Sequence, residues 1–260
     1  MLSRRRFFGA AGSIAAAGLG LGAYARFVEP NRIEFTQQRV PSGWPNFAQM
    51  SDLHLRGLSG MHEVIAAELQ QRACSFIVIT GDSIDRPKDL PLLNDFLSML
   101  PAIPKIAILG NWEHWGHIDQ RELARIYERW NGRLLVNDSL HHQGISFVGM
   151  DDLVGGKPDL ARALSTSATS STRVLLAHCP AYRDQLPPRE RFDLILSGHT
   201  HGGQVRLLNY APFTPNGSGR YVKGWYRTPS PMYVSRGVGT SIMPIRFNCR
   251  PEVAIFGAET

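Results

Sequence analysis

A chain of 260 residues is long enough for one large α/β domain or two small ones, and 43% hydrophobic with 19% charged residues is ordinary for a soluble globular protein. Of the net charge of +6, Arg4, Arg5 and Arg6 supply three, and residues 1–25 hold no acid, leaving +3 for the remainder. That balance gives little support for a nucleic-acid binder, which concentrates basic residues in stripes or interleaves them with aromatics, so no nucleic acid is expected as a partner.

The chain opens MLSRRRFFGAAGSIAAAGLGLGAYA, a basic cluster before a small-residue apolar run from about Gly9 to Ala25. This is the layout of an export signal, and SRRRFF resembles the twin-arginine type, with A-Y-A at 23–25 as a candidate cleavage site. An uncleaved membrane anchor over 1–25 is the alternative. The run is short and glycine-rich for a membrane span, which needs about 20 apolar residues, and no later stretch approaches that. The expected location is the periplasm or the cell envelope, or the membrane if the N-terminal segment stays as an anchor.

Residues 26–46 read as a linker leading into one edge strand. Short apolar runs ending in polar residues follow: NFAQMSDLH, FIVITGDSID, KIAILGNWEH, GISFVGMDD, RVLLAHCP and FDLILSGHTH. Between the early ones lie helical periods. Leu92, Leu93, Phe96, Leu97 and Leu100 recur at three- and four-residue steps, and Asp119 opens a helix that places Leu123, Ile126, Tyr127 and Trp130 on one face. STSATSST (165–172) reads as a solvated loop, and the text after Gln204 as loops and short β segments. The pattern predicts a single mixed α/β domain. Cys74, Cys179 and Cys249 fit no zinc spacing; they read as buried thiols, with one disulfide as the alternative in an exported protein.

The polar residues that end the apolar runs are Asp52 and His54, Asp82 and Asp85, Asn111, His178, then His199 and His201. Singly, each has an ordinary explanation: aspartate caps helices, asparagine makes turns, and a histidine can sit satisfied in a core. Jointly, they place carboxylates, an amide oxygen and imidazoles at strand ends, where ligands gather in open α/β sheets. In an extended SGHTHGGQV, His199 and His201 would point to one side and converge on one object, while Gly202 and Gly203 let the backbone turn tightly. Such a donor set suits Mn, Fe or Zn better than Ca or Mg, and without cysteine ligands it is no structural zinc site.

In this order, DLH, GDSID, GNWEH, AHCP and GHTHGGQ resemble the calcineurin-like metallophosphoesterase superfamily, from about Phe47 to the C-terminus. The tail, GRYVKGWYR to RPEV, is similar to its exported or membrane-associated bacterial phosphodiesterase branch. The resemblance implies a metallophosphoesterase domain over 47–260, folded as a four-layer α/β/β/α sandwich around two divalent metal ions. Carried over by motif, Asp52, His54 and His201 would hold one metal and Asn111, His178 and His199 the other, with Asp82 bridging them. Asp85 would orient the site from behind. The implied reaction is in-line attack of a metal-bound hydroxide on a phosphodiester or pyrophosphate bond.

One position departs from the family's G-N-H-(D/E): Trp112 stands where a histidine usually contacts phosphate and helps the leaving group. His114 is the expected substitute, acting with Asn111; the alternative is that His114 and His117 are only loop residues. Arg56 and Arg86 could reach a phosphate or simply solubilise the surface. The stretch from Tyr210 to Tyr226, with Phe213, Tyr221, Trp225 and Tyr226 beside Arg220 and Lys223, either covers the metal rim for an amphipathic substrate or packs as ordinary core. The expected function is a phosphodiesterase of the cell envelope, acting on a phosphorylated small molecule or a lipid-linked substrate. A UDP-2,3-diacylglucosamine-type pyrophosphate hydrolase of lipid A synthesis is one alternative, although that reaction is cytoplasmic and conflicts with export. A non-catalytic envelope protein binding a phosphorylated ligand is the other, favoured only by Trp112. Metallo-β-lactamase-like and amidohydrolase enzymes fit poorly, because His201 is followed by Gly202, Gly203 and Gln204 and the first strand ends in DLH.

Overall fold

The computed structural model describes residues 18–167 and 172–258. The runs FAQM, FIVIT and KIAI show no polar alternation because both of their faces are covered. Each forms a strand buried at every position: β2 (Phe47–Met50), β3 (Phe76–Thr80) and β4 (Lys105–Ile108). With β1 (Glu34–Arg39), β5 (Gly132–Leu135) and β12 (Glu252–Gly257) they make a six-stranded sheet in the order β1-β12-β2-β3-β4-β5. Strands β2 to β5 are parallel, β12 runs antiparallel to β2, and β1 lies at the edge beside β12.

The second six-stranded sheet contains β6 (Asp138–His142), β7 (Ile145–Gly149), β8 (Thr172–Leu176), β9 (Leu194–Ser197), β10 (Gly224–Tyr226) and β11 (Met232–Val234), in the order β10-β11-β9-β8-β7-β6. Its four inner strands are parallel, and β6 and β10 close the edges antiparallel.

Three apolar clusters define the layers. Between the sheets, Phe47 stacks on Phe76 and Phe256 with ring centroids 5.0 and 4.6 Å apart, and Phe147 of the second sheet meets Phe76 edge-on. Over the outer face of the first sheet lie α2 (Gly60–Gln71), α3 (Leu90–Met99) and α5 (Gln120–Arg129), burying Ile65, Leu93, Phe96, Leu97, Leu123 and Tyr127. The Asp119 carboxylate caps α5, accepting from Arg121 N at 2.8 Å and Glu122 N at 3.1 Å. The outer face of the second sheet is covered thinly, by α6 (Leu160–Ser165), the 3-10 segment Pro180–Gln185 and Tyr221. The result is the α/β/β/α sandwich expected, with one lean outer layer.

Residues 1–17 of the expected export signal lie outside the described residues. Residues 18–23 form a helix, α1, followed by a π-helical turn at Tyr24–Val28 and a 3-10 turn at Glu29–Asn31. Among the described residues no helix is long and apolar enough to cross a membrane. Of STSATSST, 168–171 lie outside the described residues, Ser165 ends α6 and Thr172 begins β8. All three cysteines are free and buried. A short helix, α4 (Asn111–Trp115), is a single turn that begins just beyond β4.

Candidate metal centre

Strands β2, β3 and β4 of one sheet and β8 and β9 of the other end at the same rim, so the residues just beyond them meet between the sheets. There the backbone bends sharply. Asp52, His54, Asp82, His199 and His201 have φ of +51°, +43°, +53°, +71° and +49°. A non-glycine residue held in the left-handed region costs on the order of 1–3 kcal/mol, and a concentration of such residues is characteristic of functional sites. The bends brace one another: Asp52 N donates to Gly81 O at 3.0 Å and His54 N to Asp82 O at 3.0 Å. Contact is close enough to require glycine at 198, where a Cβ would stand 1.8 Å from Ser51 Oγ.

The extended geometry expected for 197–205 is not what forms. His199 and His201 are both left-handed, Thr200 between them is helical, and His201–Gly203 makes a 3-10 turn. The two rings therefore diverge. His201 joins Asp52 and His54; His199 joins Asp82 and His178.

Hydrogen bonding sets which ring nitrogens face inward. His54 Nδ1 bonds Asp85 Oδ1 at 2.5 Å, His178 Nδ1 bonds Thr80 O at 2.7 Å and His199 Nε2 bonds Asn216 O at 2.7 Å. Each of these outer nitrogens carries its proton toward an oxygen, which leaves the other nitrogen as an inward lone pair. His178 Nε2 then lies 3.3 Å from His199 Nδ1, 3.2 Å from Asn111 Oδ1 and 3.1 Å from Asp82 Oδ2. With the outer nitrogens protonated, four acceptor atoms face one another here. In the other cluster His201 Nε2 is 3.1 Å from His54 Nε2 and 3.4 Å from Asp52 Oδ1. Asp82 Oδ2, 3.7 Å from His54 Nε2, serves both sets. Buried acceptors converging in this way fit a pair of divalent cations, and the mixture of imidazole and carboxylate suits Mn, Fe or Zn.

The charges agree. Burial lowers the pKa of His54 and His178, but hydrogen bonding to Asp85 and the field of Asp82 raise His54, while Asp82 raises His178 well above its usual value. Burial, aided by His178 at the one and His54 at the other, holds His199 and His201 below theirs. Burial also pushes Asp82 upward, yet the neighbouring imidazoles bring it below the usual carboxylate range. The carboxylates draw positive charge into the site, where protons and metal ions compete for the same nitrogens.

The calcineurin-like phosphoesterase family matches residues 45–203. The chain belongs to the calcineurin-like phosphoesterases. Over 98% of its length it is 32% identical to an uncharacterized metallophosphoesterase, YkuE of Bacillus subtilis, of which it covers 97%. It is 31% identical to the phosphodiesterase YaeI of Escherichia coli, with 98% of each chain covered. An uncharacterized metallophosphoesterase of Campylobacter jejuni, Cj0846, is 34% identical over 79% of this chain and 57% of the relative. The phosphoesterase is thus a metal-dependent phosphoester hydrolase.

Around its centre, several side chains have roles that sequence reading did not assign. Glu113 is buried in α4 and accepts from Gly110 N at 2.9 Å, Asp82 N at 3.0 Å and Ser83 N at 2.6 Å, locking the Asp82 loop to the start of that helix. Burial and the neighbouring Asp82 raise its pKa to about 7. The acid at the fourth position of GNWE was the available signal. Arg246 is fully buried and reaches within 3.5 Å of His201 Nδ1; nothing in its surroundings in the sequence marks it. Arg56 does not extend freely toward a phosphate: its Nε and Nη2 bond Asp85 Oδ2 at 3.0 and 2.8 Å, steadying the carboxylate that orients His54. Arg86 pairs with Asp89.

Trp112 donates its backbone N–H to Asp82 Oδ1 at 2.8 Å and sets its indole edge-on to His54, with centroids 5.8 Å apart. The half-exposed Trp115 meets it in turn at 5.6 Å. His114 Nε2 bonds Asp151 Oδ1 at 2.6 Å, one helical turn beyond Asn111, and His117 is exposed. The stretch from 210 to 226 divides. Tyr221 is buried in the outer core and Trp225 bonds Gln38, Asn216 O holds His199, and Tyr210 and Phe213 stand in solvent.

Proposed function

We propose that this phosphoesterase is a dinuclear phosphodiesterase, exported to the cell envelope, that hydrolyses a phosphodiester or pyrophosphate bond of a phosphorylated or lipid-linked substrate. The observation that carries the reading is Asp82 Oδ2, set between two buried clusters of imidazole and carboxylate ligand atoms. Export is supported by the twin-arginine-like N-terminus, and diester chemistry by the likeness to YaeI.

Bound at this site, two divalent cations would supply Lewis acidity at the phosphoryl oxygens and a nucleophile at neutral pH. Asp52, His54 and His201 would hold one of them, and Asn111, His178 and His199 the other. Asp85 keeps the His54 lone pair aimed inward, and burial keeps the surrounding dielectric low. The proton for the leaving group comes from His114, which lies on the same face of α4 as Asn111 and is backed by Asp151.

Purified protein is expected to contain about two metals per chain and to turn over an aryl phosphodiester faster than the matching monoester. Full metal content with turnover of neither would overturn the catalytic reading in favour of a phospho-ligand binding protein.

The role of His114 has its own signature. The Asp151 hydrogen bond raises its pKa above the usual histidine value against the opposing effect of burial. The acid form is therefore present below that raised pKa and lost as pH rises through it. Turnover of an alkyl diester, whose leaving group needs the proton, should fall along that limb. His114→Ala should abolish the limb and cost the alkyl substrate roughly 100-fold while sparing an aryl diester. Equal losses on both substrates would reduce His114 to a tether for the 151–157 loop.

A further inference from the structure

Three segments distant in sequence are tied together beside the metal centre. The π-helical turn after α1 accepts at Ala25 O from Arg246 N at 2.9 Å, and the Glu29 carboxylate accepts from Cys249 N. Arg206 N donates to Phe247 O at 2.9 Å and Asn248 Nδ2 to Leu208 O at 3.3 Å. Gln204, directly after the turn that carries His201, bonds Ser241 O at 3.2 Å and Met243 O at 2.9 Å.

What these segments carry to the surface is apolar. Leu208, Phe213 and Ile242 are 86%, 81% and 83% exposed, and Leu19, Phe27 and Met243 are more than half exposed. Leu208 and Ile242 also have left-handed φ of +57° and +59°. That conformation is a genuine outlier for a β-branched residue such as Ile242 or a bulky one such as Leu208, and here it occurs at two loop tips that both present large apolar side chains to solvent. Contiguous exposed apolar surface marks an interaction site.

Its occupant follows from charge. Residues 194–251 contain no aspartate or glutamate and seven basic residues; residues 1–28 contain no acid and four arginines. Arg26 and Lys223 are exposed. The sequence before α1 has the same basic and apolar character, with Arg4, Arg5 and Arg6 followed by an apolar run. Glu29, within these tied segments, is buried, and exposed apolar tips beside Arg26 and Lys223 match the interface of an anionic bilayer.

We propose that this face, formed by the loops at 207–213 and 241–243 beside Phe27, docks on an anionic lipid surface and holds the metal rim at the bilayer. The proposal is independent of which phosphoester is cleaved.

Single cysteines at Phe213→Cys and Ile242→Cys, with Arg189→Cys in the loop before β9 as a control, accept a nitroxide in the full-length protein, whose own thiols are buried. On vesicles of mixed phosphatidylglycerol and phosphatidylcholine, the labels at 213 and 242 should become several-fold less accessible to a water-soluble nickel complex and more accessible to oxygen, while the label at 189 stays aqueous. Bound protein with all three labels in water would show anchoring by the N-terminus alone and overturn the proposal. Equal immersion on pure phosphatidylcholine, or shielding caused by raised protein concentration without lipid, would assign the face to neutral lipid or to a second copy and overturn it as well.

Discussion

Asp82→Asn should remove metal and turnover together. Asp82 Oδ1 is fixed by Trp112 N at 2.8 Å, which leaves Oδ2 at 3.1 Å from His178 Nε2 and 3.7 Å from His54 Nε2 as the oxygen shared between clusters. Asparagine keeps the shape but replaces an anion with a neutral dipole, so two cations held close together lose the charge that screens them from each other. The loop itself should survive, because Glu113 binds the backbone N–H groups of residues 82 and 83 rather than the side chain. Loss of an outer partner of a metal ligand costs roughly 10–100-fold; loss of the shared anion should exceed that. Metal content by mass spectrometry and kcat/KM on an aryl diester check the outcome, and full occupancy with retained activity would refute the bridging assignment.

Arg246→Met should cost the most stability of any single change outside the apolar core. Arg246 is fully buried, and its guanidinium donates to Gly239 O at 3.0 and 2.6 Å, Arg236 O at 2.9 Å, Gly237 O at 3.1 Å and Cys249 O at 3.1 Å. Methionine fills much of the volume but leaves four carbonyls without these donors, at about 1–3 kcal/mol for each one left unpaired and on the order of 4 kcal/mol in total after relaxation. For a chain of this size that corresponds to a fall in Tm on the order of 10 °C. The damage should reach the metals, because the same loop donates Gly239 N to Asp52 O at 2.7 Å and Val238 N to Ser51 O at 2.9 Å. Thermal unfolding of the metal-loaded variant, with its metal content, measures both; an unchanged Tm would mean that water replaces the guanidinium.

Much of the centre was legible before any coordinates. The strands that carry it are parallel and covered on both faces, so they read as short unbroken apolar runs, and each ligand lies two to four residues past the end of such a strand. Donor chemistry is a property of residue type, and order along the chain survives folding. The partition of His199 and His201 between clusters followed from the family resemblance rather than from strand geometry. A period of two assumes extended backbone, and left-handed φ at both histidines removes it.

What the sequence alone determined is therefore local: the α/β pattern, the strand-end positions of the ligand residues and the basic N-terminus. Tertiary structure decided everything that depends on packing between distant segments. It turned Arg56 toward Asp85, placed Arg246 under His201, made Glu113 the lock between the Asp82 loop and α4, and gathered Leu208, Phe213 and Ile242 beside the metal rim. Hydrophobic periodicity records which face of a segment is covered. It carries no information on what covers that face, and a side chain's partner is set by the packing of two sheets whose contacts lie far apart in the chain.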